Sequence, residues 1–155
     1  MITKLWSLAN DTADKIAALL ADPLLLAIRL YWGWQFMTRG WGKLMNLGDT
    51  SEYFSSLGLP LPQLNAILAS STECFGGLLL LLGLFSRFIS IPLIFTMVVA
   101  YLTADIKVVK GIFADPDAFV SAAPFLFMLA AVLVFVFGPG KFSTDELLHR
   151  RFRTA

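Results

Sequence analysis

The 155-residue chain has one cysteine, Cys74, and one histidine, His149. No disulfide can close within it, no CxxC redox pair exists, and no Cys/His cluster can hold structural zinc. A b-type haem held by two histidines of one chain is excluded too, so any redox chemistry has to be borrowed. Charge is equally scarce, at 15% of residues against ~25% in soluble domains. A net charge of +1 removes the case for nucleic acid, which requires a clustered basic face. Apolar residues, by contrast, make up 57% of the chain, and the mean hydropathy is +0.74. Too few polar side chains remain to coat a globule in water. The composition describes an all-α membrane protein.

Crossing a hydrocarbon core of ~30 Å takes ~20 apolar residues in a helix. Four runs qualify and predict a four-transmembrane-helix bundle. The first follows Asp22-Pro23, read as an acidic N-cap with proline at the first helical position, and covers about 23–44. The second covers about 62–83. The third starts near Ser90, whose hydroxyl can cap a helix carrying Pro92 in its first turn, and covers about 90–105. The fourth follows Asp115-Pro116 and covers about 116–137, ending at Gly138-Pro139-Gly140. Ser86-Arg87 is the natural break between the second and third. Pro124 predicts a kink in the fourth, with the freed Val120 carbonyl satisfied by a hydroxyl such as Ser121.

Ahead of the first span, residues 1–21 place Lys4, Asp11, Lys15 and Asp22 on one face and Leu5, Ile16, Leu19 and Leu20 largely on the other. This is the pattern of an amphipathic interfacial helix; Asp11 and Asp14 exclude a cleavable leader. Asp49 with Glu52 three residues later predicts a short capped helix ending at Gly58. Residues 22–148 then form the membrane domain and 149–155 a basic tail. Eight of the 12 Lys and Arg residues fall on the side of both termini: Lys4, Lys15, Arg29, Arg87, Lys141, Arg150, Arg151 and Arg153. The other side holds Arg39, Lys43, Lys107 and Lys110. The excess places both termini in the cytoplasm, and the arginine-rich tail against anionic lipid.

Ionisable residues within spans are expensive and mark function by default. Glu73 sits mid-span, sharing a face with Gly77, Leu80, Leu84 and Arg87. On the first span Arg29, Gly33, Phe36, Gly40 and Lys43 form one stripe, whose glycines permit close helix approach. The two stripes are expected to pack antiparallel, with Arg29 reaching the Glu73 carboxylate and Gln35 near its depth. Two readings stay open: helix-locking scaffold, or polar and proton-coupled pocket. Asp105 and Tyr101 are candidates for the outer mouth, with an interfacial anchor as the alternative for Tyr101. Trp32, Trp34 and Trp41 read as belt or packing residues, and Cys74 as an inert small hydrophobe. Gly138 and Pro139 terminate the last span, and Ser143 starts a short helix.

Taken in order, Arg29, Gly33, Phe36, Gly40 and Lys43, then Gly58-Leu59-Pro60, then Glu73, Gly76, Gly77, Leu80, Gly83, Leu84 and Arg87, then Gly138-Pro139-Gly140-Lys141 with Ser143 and Asp145, resemble the DoxX family of small four-span membrane proteins over roughly 23–148. The family's name comes from a relative of a membrane thiosulfate:quinone oxidoreductase subunit. Other members are associated with quinone or catechol stress, or with redox complexes. The resemblance implies a bacterial or archaeal inner-membrane protein near quinone, sulfur or oxidative-stress chemistry. Arg29, Lys43, Glu73 and Arg87 would carry any shared function. The third span matches least, with Asp105 and no histidine. No intrinsic cofactor is expected; a bound quinone, held by Glu73 with Arg29 or Gln35, is the candidate. The alternative is a non-catalytic membrane anchor or assembly partner for a soluble enzyme or transport system, in contact with lipid, a redox-complex protein or a second copy. A small-solute transporter is disfavoured without an inverted repeat.

Overall fold

The computed structural model describes residues 2–153, with all their side chains except those of Ile2, Thr3, Leu5 and Leu8. Among the described residues every regular element is helical: α1 (Ile2–Met45), α2 (Leu47–Ser56), α3 (Pro62–Leu82), α4 (Ser86–Thr103), α5 (Ile106–Lys110), α6 (Pro116–Ser121), α7 (Ala123–Phe137) and α8 (Thr144–Arg153). Three of these, α1, α3 and α4, are long and apolar enough to cross a membrane. α7 is a shorter apolar helix of 15 residues. The bundle wears its apolar side chains outside: Phe88, Phe95 and Phe137 are exposed, while Arg29, Glu73, Ser70, Ser86 and Ser90 are buried. Such an exterior suits lipid, not water.

The tightest contact joins α1 to α3, and glycine makes it possible. A Cβ on Gly33 would lie 2.9 Å from Leu81 Cα, and one on Gly40 2.8 Å from the Glu73 carbonyl carbon. From the other side, a Cβ on Gly77 would meet Phe36 Cβ at 2.7 Å. Only hydrogen fits at these crossings. Phe36, Leu80, Leu93, Met97, Phe127, Ala131 and Val134 complete the core. Phe127 of α7 stands edge-on to Trp32 and Phe36 at 4.9 and 4.6 Å, a geometry that adds ~0.5–1.5 kcal/mol per pair beyond area burial. Trp34 and Trp41 are exposed on the outer surface.

Several helix boundaries differ from those the sequence predicts. α1 passes unbroken through Asp22-Pro23, so Asp22 is not an N-cap and residues 2–21 continue the first span's helix. Proline removes one donor, so the carbonyl of Leu19, four residues earlier, loses its helical partner while the helix continues. Of the amphipathic pattern, Ile16, Leu19 and Leu20 are exposed, and the Leu5 side chain lies outside the described residues. α2 begins at Leu47, before Asp49, and Asn46 in the cap position forms no side-chain cap bond. Its end at Gly58, with φ +75, is left-handed as glycine allows.

α4 starts at Ser86 instead of Ser90 because its cap comes from a distant segment. The Phe85 and Ser86 amides donate to the Asp145 carboxylate at 2.7 and 2.9 Å, and the Ser90 hydroxyl donates to the Ser86 carbonyl at 2.8 Å. Around Pro124 the expected kink is a break. Ala122 is extended, with φ −62 and ψ 140, separating α6 from α7, because proline cannot continue the donor ladder. The Ser121 hydroxyl donates to Ala118, not Val120. Ser143 does start α8, accepting from the Glu146 amide at 3.2 Å. α8 absorbs the basic tail as far as Arg153; the last two residues of that tail lie outside the described residues.

Candidate functional site

Two polar centres occupy opposite ends of the bundle. We call the end with the α3–α4 turn and α8 the tail face, and the end with α2, α5 and α6 the distal face.

The distal centre is built by the α1–α3 crossing. Gly33 opposes Leu81 and Gly40 opposes Cys74, so advancing two turns along α1 retreats two turns along α3. One further turn brings Lys43 to Glu73. The Lys43 ammonium donates to both Glu73 carboxylate oxygens at 2.7 Å. The Glu73 side chain is 5% exposed and that of Lys43 38%, so the pair has one fixed, buried member and one with room to move. Both line a cavity of about 690 Å³. Leu68, Phe95, Val99 and Phe54 supply apolar wall, and Asp49, Asn65 and Asp105 polar positions. A mostly apolar pocket with a few convergent polar groups is the usual form of a small-molecule site.

Arg29, expected to meet Glu73, goes elsewhere. It is 1% exposed and serves the tail face. Its Nε donates to the Leu80 carbonyl at 3.1 Å, and Nη2 reaches Leu81 and Phe142 at 3.4 and 3.3 Å. Nη1 donates to Phe142 at 3.2 Å and, more closely, to the Pro139 carbonyl. Arg29 thus fastens the Gly-Pro-Gly segment to the end of α3. Other bonds reinforce the joint: the Asp145 amide donates to the Gly83 carbonyl at 2.9 Å and the Thr144 hydroxyl to Leu82 at 2.8 Å. Lys141 donates to Asp22 from its amide and its ammonium, at 3.0 and 2.9 Å.

The five residues singled out from the sequence therefore do not form one cluster. Lys43 and Glu73 come together; Arg29 and Arg87 lie at the tail face; Gln35 donates to the Tyr31 hydroxyl at 3.3 Å on the α1 surface. Asp105 lines the distal cavity as expected. Tyr101 is buried at 4%, donating to the Phe119 carbonyl at 2.8 Å and stacking on that ring at 4.8 Å, so it clasps α4 to α6. Cys74 is buried and free. Sequence reading missed the contributions of Asp49, Asn65, Pro92 and Thr96 to the cavity wall. It also missed Arg39, whose guanidinium lies 4.9 Å from the Phe127 ring centre, a cation–π contact.

An apolar all-helical bundle with three helices long enough to cross a bilayer, and a charge pair in the wall of a largely apolar cavity, defines an integral membrane protein. The chain belongs to the DoxX family, whose model matches residues 24–106, just over half of it. It is 38% identical over 76 residues to the Escherichia coli inner membrane protein YphA, covering 48% of this chain and 54% of YphA. The chain therefore spans about half the length of that relative. It is 30% identical over 138 residues to the Mycobacterium tuberculosis membrane protein Rv3486, covering 83% of each. It is also 29% identical over 82 residues to a Bacillus subtilis protein named "Putative oxidoreductase CatD", covering 53% of this chain and 60% of CatD. No solved structure matches significantly.

Proposed function

We propose that this DoxX protein binds a quinone-like head group in the distal cavity and serves as the membrane component of a redox system. The observation that carries the proposal is the Lys43–Glu73 pair, whose two 2.7 Å bonds sit in the wall of a largely apolar cavity. An ammonium donates to a quinone carbonyl, and a carboxylate accepts from the hydroxyl of the reduced form. Reduction of a quinone takes up two electrons and two protons. A partner oxidoreductase supplies the electrons, and both protons come from water, one of them relayed to the bound ring through the Glu73 carboxylate. The relative CatD carries oxidoreductase in its name, which agrees with this reading.

In the same proposal α7 makes a fourth crossing. Its 15 residues rise ~22 Å, so local thinning of the bilayer accompanies it. Both termini then share the side richer in Lys and Arg, which the positive-inside rule makes cytoplasmic, and the protein resides in the inner membrane.

Titration of the detergent-solubilised protein with a short-tailed benzoquinone tests the site. Glu73→Gln and Lys43→Met should each weaken binding by about tenfold or more, the effect of one lost charge-assisted bond, while Arg87→Gln leaves it unchanged. Equal affinity in all four proteins overturns the proposal. A stoichiometric protein partner captured equally by wild type and Glu73→Gln, with no quinone bound, assigns the chain to the anchor role instead.

A further inference from the structure

A second cavity, also of about 690 Å³, opens at the tail face between the α3–α4 turn, the Gly-Pro-Gly segment and the start of α8. Its carboxylates are all engaged. Asp22 is held by Lys141, Asp145 by the Phe85 and Ser86 amides, and Glu146 by Arg150 at 2.8 Å. The α4 N-terminal amides are spent on Asp145, so the helix end has little left for an anion.

Two donors remain. The Arg87 guanidinium has no hydrogen-bond or ion-pair partner among the described residues. It lies over Gly138, where a Cβ would meet its Nη2 at 3.2 Å. Ser86 lines the same cavity, is 0% exposed, and its hydroxyl has no partner among the described residues. A buried hydroxyl without a partner is rare and destabilising unless something outside the chain completes it. His149 lines the cavity as a further donor. The apolar part of the lining points to an amphiphile: Phe85, Phe88 and Phe137 are 61%, 76% and 66% exposed. Rings this open beside an unpaired guanidinium belong at the boundary between acyl chains and head groups.

We propose that the tail-face cavity binds the phosphate of a membrane phospholipid. Arg87 pairs with the phosphate oxygens, the Ser86 hydroxyl and His149 donate to them, and the three phenylalanines cover the upper acyl chains. Free phosphate shares the oxygen chemistry but makes no use of the rings. The site is separate from the distal cavity and independent of the quinone reading.

Native mass spectrometry of the full chain, titrated with phosphatidylglycerol and in parallel with inorganic phosphate, tests this. The wild type should retain one phosphatidylglycerol. Arg87→Gln and Ser86→Ala should each retain it about tenfold less well, and Glu73→Gln should match the wild type. Ser86→Ala removes an unpaired buried hydroxyl, so the variant should fold at least as well and its loss of lipid reports on the site. Equal retention by wild type, Arg87→Gln and Ser86→Ala overturns the proposal. Binding of inorganic phosphate that phosphatidylglycerol does not displace also overturns it, assigning the pocket to a free anion.

Discussion

Arg29 and Glu73 are buried to nearly the same extent, at 1% and 3%, yet the two ends of the bundle use them differently. Arg29 spends its donors on four backbone carbonyls, those of Leu80, Leu81, Pro139 and Phe142. Its partners cannot leave without unfolding the tail joint. Glu73 depends on one side chain, and that side chain is 38% exposed and lines a cavity. A ligand can replace it. Burial of a charge within a span therefore does not by itself separate architecture from chemistry; the nature of its partners does.

The largest effect that would test this contrast is on Arg29. Arg29→Ala strips four carbonyls of a buried cation, and stability measured by denaturant unfolding in detergent should fall by about 3–5 kcal/mol, as for other broken buried charge contacts. Faster hydrogen exchange over residues 138–146 should accompany it. A loss below about 1 kcal/mol would mean that Arg29 does not hold the tail face. Next in size is the α1–α3 crossing. Gly40→Ala should cost about 1–3 kcal/mol through overpacking. Gly42→Ala, with nothing within 4 Å of its Cβ, should be neutral or stabilising by up to ~1 kcal/mol through helix propensity. Equal effects at the two glycines would deny the close crossing that delivers Lys43 to Glu73.

A smaller change in stability is expected for Glu73→Gln, within about 1 kcal/mol, because the half-exposed Lys43 ammonium can turn to water. A loss as large as that of Arg29→Ala would erase the distinction between the two ends. The smallest effect concerns α8. The hydrogen bond from Arg150 holds the Glu146 carboxyl below its ordinary value, against a weaker opposing effect of desolvation. A depressed folded-state value stabilises above the ordinary carboxylate range, about 4, and that contribution disappears as pH falls through it. Amide protection in the first turns of α8, taken as the exchange rate relative to that of the unstructured chain at the same pH, should fall on acidification, and less so in Glu146→Gln.

Much of the α1–α3 interface was legible in the sequence. The spacing of Gly33, Phe36 and Gly40, and of Gly77 on α3, identifies the faces that meet. Face periodicity does not supply depth, however, so the Arg29–Glu73 pairing that it suggests is not the one formed. The axial register is set where glycines allow backbone contact, and that register brings Lys43, not Arg29, to Glu73. Pairing residues seven apart in opposite directions along the two helices was the available signal. The α4 start was not legible locally, since its cap lies 59 residues away on Asp145. Nor was the long α1, because Asp22-Pro23 carries a strong local start signal that Lys141, brought in by the far end of the chain, converts into a tertiary contact. The cavity wall was hidden for the same reason: Asp49, Asn65 and Thr96 come from three separate helices.

The central claim is that the distal pair is a ligand site, and the protein can be asked directly what it carries. Native mass spectrometry of wild type and Glu73→Gln, each released from its membrane in gentle detergent, should find a species of quinone mass on the first and not on the second. The same quinone retained equally by both would contradict it and leave Lys43 and Glu73 as helix glue.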